Sequence, residues 1–182
     1  MKYRSYNLHN FRQIEQINRL TAREISEIET VSRVLPFKTN NYVVDELIDW
    51  EQYRTDPMYL LNFPQKAMLG DEYFDRVTSL MERGAGRQDF LDEVDEIRVE
   101  LNPHPAGQIE YNIPELDGER LPGIQHKYRE TILFFPSQGQ TCHAFCTFCF
   151  RWPQFSGMQN LRFGMKETDR LIEYIRRDER IW

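Results

Sequence analysis

The stretch TILFFPSQGQTCHAFCTFCFRWPQF, Thr131 to Phe155, joins an unbroken apolar run to a short polar loop and to every cysteine of the 182-residue chain. The run TILFF shows no polar alternation, the mark of a strand buried on both faces, as in a parallel sheet. Pro136 to Thr141 reads as a loop that delivers Cys142, Cys146 and Cys149. Three thiols so close together, with none elsewhere, do not make a disulfide framework, and an odd count fits a reducing compartment.

The spacing C-x3-C-x2-C bears on what the thiolates hold. A structural zinc site takes four protein ligands, often as two C-x2-C-like pairs, and no second pair is present. A histidine would have to complete it; His143 adjoins Cys142, so His104 or His126 is the better candidate. An iron–sulfur cubane on three thiolates leaves one iron without a protein ligand. That iron can take a small bidentate molecule, and the amino and carboxylate groups of S-adenosylmethionine suit it.

Working outward, residues 167 to 178 read as an amphipathic helix with Leu171, Ile172 and Ile175 on its apolar side, and Ile181 and Trp182 as the start of a second strand. Strand, loop, helix and strand describe one β–α–β unit. A closed eight-fold parallel barrel takes roughly 250 residues, so the sequence reads as a fragment. Upstream, 103 to 123 carries four prolines and three glycines and reads as an extended connector. The boundary is placed near Leu121, giving regions 1–122 and 123–182.

The first region is helical in pattern. Thr21 and Glu24 form a capping box for a helix over 21–34, with Ile25, Ile28 and Val31 inward. Asp56-Pro57 is an N-cap followed by proline at the first helical position. Helices follow at 71–83, with Gly84 after its end, and at 88–101. Residues 41 to 50 have no clear type.

Asp and Glu outnumber Lys and Arg by 29 to 23, for a net charge of −6, which argues against general nucleic-acid binding. No window reaches the ~20 apolar residues of a membrane span, and MKYRSYNLHNFRQIEQINRL has no signal-peptide core. A cytoplasmic location is expected.

CHAFCTFC, Cys142 to Cys149, resembles the C-x3-C-x-aromatic-C signature of radical S-adenosylmethionine enzymes. LPFKTNNY, DPMYLLNFP and LPGIQHKYRETILFF add a looser similarity, over most of the chain, to the lysine 2,3-aminomutase group. The resemblance implies an α/β fold: an N-terminal helical region, then the first β–α unit of a partial (β/α)6 TIM-like radical S-adenosylmethionine barrel, truncated at Trp182. It implies that Cys142, Cys146 and Cys149 hold a [4Fe-4S] cluster, that Phe148 lies near the adenine of S-adenosylmethionine, and that Arg151 pairs with a substrate carboxylate. It implies reductive cleavage of S-adenosylmethionine and an amino-acid 2,3-aminomutase-like isomerisation. The partners implied are an amino-acid substrate, an electron donor such as flavodoxin or ferredoxin, and a homo-oligomer, with neither nucleic acid nor membrane. Pyridoxal phosphate enters by family analogy alone. The aminomutases carry an arginine run where this chain reads FRWPQF, which sets lysine apart from the expected substrate. The rival reading is a zinc- or cluster-stabilised interaction module, or an inactive truncated fragment.

Other residues have plainer readings. Asp89, Asp92, Glu93, Asp95, Glu96 and Glu100 make a solvated helix face, and His126 and Tyr128 pack and hydrogen-bond at the rim of the barrel. Phe145, Phe148, Phe150, Trp152 and Phe155 make the cysteine loop aromatic, which shields a cluster from water.

Overall fold

The computed structural model describes residues 2–101, 111–138, 158, 164–166 and 168–181. The chain forms two compact units that part after Leu101. The described residues mix helices with three two-stranded antiparallel sheets.

In the first unit, β1 (Ser5–Asn7) pairs antiparallel with β2 (Lys38–Asn40), Tyr6 opposite Thr39. Asn41 extends this short ladder with its side chain: Oδ1 accepts from Arg4 N at 2.8 Å, and Nδ2 donates to Lys2 O at 3.1 Å. Helix α1 (Ala22–Val34) begins as its sequence dictates, since Glu24 N donates to Thr21 Oγ1 and Thr21 N to Glu24 Oε2. Its buried residues serve two clusters. Ile28 joins Phe11, Phe37, Trp50, Tyr59 and Phe63, while Val31 and Val34 join Leu69, Val77, Val94 and Ile97.

The ambiguous segment 41–50 contains a π-helical turn, Val43–Leu47, closed by Ile48 N donating to Val43 O at 3.2 Å. It positions Trp50, whose buried Nε1 donates to Val44 O at 2.7 Å. Asp56 caps α2 (Pro57–Asn62) through Tyr59 N, with Pro57 in the first turn. The short α3 (Lys66–Leu69) leads into α4 (Asp71–Glu82). Gly84, at φ 61°, ends α4 in a Schellman turn, with Gly84 N on Met81 O and Ala85 N on Leu80 O. Helix α5 (Arg87–Leu101) then returns along α4. Four of the six acids on its face are engaged rather than solvated: Glu93 and Glu100 bond Arg76 of α4 at 2.6 and 2.9 Å, with Glu96 at 3.5 Å, and Asp95 pairs with Arg98 at 2.8 Å.

The second unit opens with a hairpin inside the expected connector, β3 (Glu115–Leu116) against β4 (Glu119–Arg120). Its turn, Asp117-Gly118, takes φ 56° and 79°, the left-handed conformation this dipeptide favours. A second hairpin joins β5 (Ile124–Tyr128) to β6 (Thr131–Phe134). Here the structure corrects the expectation of a strand buried on both faces of a parallel sheet. Thr131 and Leu133 are exposed, and β6 pairs antiparallel with β5 through the two-residue turn Arg129–Glu130. Helix α6 (Thr168–Arg177) contributes Tyr174 to a core with Leu116, Leu121, Ile124 and Met165. Ile181, expected to begin a second strand, lies outside any strand, and Trp182 lies outside the described residues.

Candidate functional site

Cys142, Cys146, Cys149, Phe148 and Arg151 all lie outside the described residues, as do His104, His143 and the loop aromatics. The neck from which their segment leaves, and to which it returns, is described. Phe135 N donates to Gly123 O at 2.8 Å, continuing the hairpin one residue past β6. Then the partner changes. Met165 N donates to Phe135 O at 3.1 Å and Ser137 N to Met165 O at 2.9 Å, which makes Pro136 and Met165 a parallel bridge. The chain therefore departs after Gln138 and comes back at Gly164 alongside its own exit, so the ends of the cysteine-bearing segment are tied to each other.

Gly123 makes this closure feasible. A Cβ at that position would lie 2.4 Å from Met165 Cγ and 2.6 Å from Met165 N, closer than real atoms approach. Only a residue without a side chain lets the returning backbone lie so near. Phe135 and Met165 are buried on the core side. Ser137 Oγ is buried at the neck and has no hydrogen-bond partner among the described residues. No sequence signal distinguishes this serine from an ordinary loop residue.

At the other end of the hairpin, beside its turn, His126 has both ring nitrogens engaged. Nε2 lies 3.2 Å from Arg129 O and so donates to it, which leaves Nδ1 to accept from the Tyr174 hydroxyl. A one-residue bulge between Gln125 and Tyr128 carries His126, and bulges re-aim side chains in this way. Asp178 Oδ2 is 3.7 Å from Nδ1. The side-chain bond from Arg180 outweighs burial and holds the Asp178 carboxyl down to about 2. Burial and then Asp178 push the Tyr174 hydroxyl up. This is the hydrogen bonding expected of His126; as a fourth zinc ligand it would have to surrender one of its bonds. Tyr128, by contrast, is exposed.

In the first unit, a cleft of about 510 Å³ is lined by Glu24, Arg54, Lys66 and Asp71 among others. Its charges are already paired, Arg54 with Glu24 and Lys66 with Asp71, each at 2.8 Å. Burial of Glu24 is outweighed by bonds from Arg54, Thr21 and Tyr53, which bring its carboxyl to about 2. The cleft is thus a product of helix capping and ion pairing. Among the described residues, no three His, Cys, Asp or Glu side chains are grouped to hold a metal ion, and no helix is long and apolar enough to cross a membrane. No family model, curated protein or solved structure matches the chain.

Proposed function

We propose that this chain carries the cluster-binding part of a radical S-adenosylmethionine enzyme acting on an amino acid, in a cytoplasmic setting. The observation that carries the reading is the C-x3-C-x2-C spacing in a segment entered directly from a strand. That a helix, α6, follows the segment supports it; a partial (β/α)6 barrel extends the reading by analogy. The donor set fits the group: three thiolates match three irons of a cubane and leave the fourth for S-adenosylmethionine. Cys142, Cys146 and Cys149 would hold the cluster. When bound, it supplies one electron for cleavage of the S-adenosylmethionine sulfonium, and so for hydrogen abstraction from the substrate. Phe148 offers an apolar face for adenine. Arg151 offers a fork for a carboxylate. An aminomutase-like 2,3-shift, with pyridoxal phosphate and a flavodoxin or ferredoxin as electron donor, extends the reading by analogy.

Anaerobic reconstitution of the chain with iron and sulfide tests it. The expected product is brown and holds about four irons and four sulfides per chain, as a cubane does. Replacing any one cysteine by alanine should abolish loading, and reduction with S-adenosylmethionine should yield methionine and 5′-deoxyadenosine. A colourless chain that binds one zinc overturns the proposal in favour of a zinc-stabilised module.

A further inference from the structure

The first unit carries a second feature, independent of the cysteine reading. Between α1, the α4–α5 turn and α5 runs a trough of about 620 Å³. Met81, Phe90, Leu91 and Val94 form its apolar surface, with Met81 38% and Leu91 43% exposed. Its charged lining is of one sign. Arg33, Arg87 and Arg98 line it, and no Asp or Glu does among the described residues, although acidic residues outnumber basic ones in the chain. Arg98 is spent internally on Val34 O, Arg33 O and Asp95. Arg33 and Arg87 are exposed, and no acidic partner reaches either among the described residues. An apolar floor with two unpaired guanidiniums suits an acidic amphipathic helix.

Such a helix is present in the chain itself. The outward stripe of α5 carries Leu91, Asp95 and Val99 at four-residue spacing, with Asp92 beside them; Val99 is 40% exposed. Asp92 accepts only from Gln88, at 2.7 Å, and meets no cation among the described residues. Stripe and trough adjoin at Leu91, which belongs to both. A two-fold axis near Leu91 would therefore lay each copy's stripe in the other's trough, the self-complementary arrangement of an isologous dimer.

We infer that the chain pairs with a second copy of itself through this face, α5 against the trough, with Arg87 and Arg33 of each copy meeting Asp92 of the other. Sedimentation equilibrium of the full chain should show a particle of twice the 22.0 kDa chain mass at tens of micromolar. Arg87→Glu and Asp92→Arg should each give monomers with unchanged circular dichroism. An equimolar mixture of the two variants should regain the dimer, because both cross-pairs between positions 87 and 92 in that heterodimer have opposite charges. A monomeric wild-type chain overturns the inference and leaves the trough to another occupant. A dimer that survives both variants overturns it too, because its interface would lie elsewhere.

Discussion

The two units bury different things. In the first, six aromatic side chains pack together: Tyr59 stacks on Phe63 at 4.8 Å, Trp50 meets both edge-on, Tyr53 meets Tyr59 edge-on at 5.0 Å, and Phe37 touches Phe11 and Phe63. In the second, the apolar cluster is small, and ionic contacts bind the helix to the first hairpin. Arg170 reaches Glu119 at 2.9 Å, Asp117 at 3.7 Å and Leu116 O at 3.2 Å, and Arg177 reaches Asp117 at 2.7 Å. Aromatic burial is large per side chain and insensitive to salt. Partly exposed ion pairs contribute little each and are screened. The first unit is therefore built to stand on its own packing. The second has a weaker apolar base.

The largest predicted effect strikes the first unit. Phe63 is fully buried, and Phe63→Ala should cost about 3–5 kcal/mol, read as a lower urea midpoint. Amide exchange should localise the loss to residues 2–101; equal loosening of both units would break the comparison.

Next is the neck. Gly123→Ala forces the returning strand away from Met165, at a cost of about 1–3 kcal/mol for overpacking. Amide exchange should speed up at Ser137 and Met165 while Phe63 stays protected. Unchanged protection at those two amides would show that the neck yields without opening.

Acid is expected to act on the first unit through Glu24. Its carboxyl lies at about 2 in the folded chain against an ordinary 4.5, so its stabilisation is complete above pH 4.5. It is lost as pH falls toward 2, by an amount on the order of 1–2 kcal/mol. Glu24→Gln should flatten that part of the stability–pH curve; an unaltered curve would assign the acid sensitivity to other carboxylates.

The smallest effect sharpens the contrast most. Arg170→Gln should cost less than about 1 kcal/mol, and 1 M salt should reproduce most of that loss in the wild-type chain. Thermal melts followed by near-ultraviolet dichroism should show the aromatic first unit almost unmoved by salt.

Several elements were legible because their causes are local. Thr21 and Glu24 are three residues apart and cap each other wherever the helix goes. Asp56-Pro57 and Gly84 mark helix ends by their own backbone preferences. The hairpin at Asp117-Gly118 also had a local signal, an Asp-Gly turn, but the surrounding prolines and glycines gave the segment the look of a connector. The bulge that turns His126 toward Tyr174 had none, because it depends on which residue of β6 lies opposite.

The cysteine spacing is a property of consecutive residues. The neck at the ends of the cysteine-bearing segment is not, since Gly123 and Phe135 lie far from Met165 in the chain and meet it only when the backbone returns. Chain-local chemistry thus determined the helix boundaries, the caps and the thiol spacing, each of which is decided within a few residues. Tertiary structure decided that TILFF pairs antiparallel with Ile124–Tyr128 and turns parallel only at Pro136. An apolar run specifies burial but not a partner, and strand partners are chosen by whichever unpaired backbone arrives beside them.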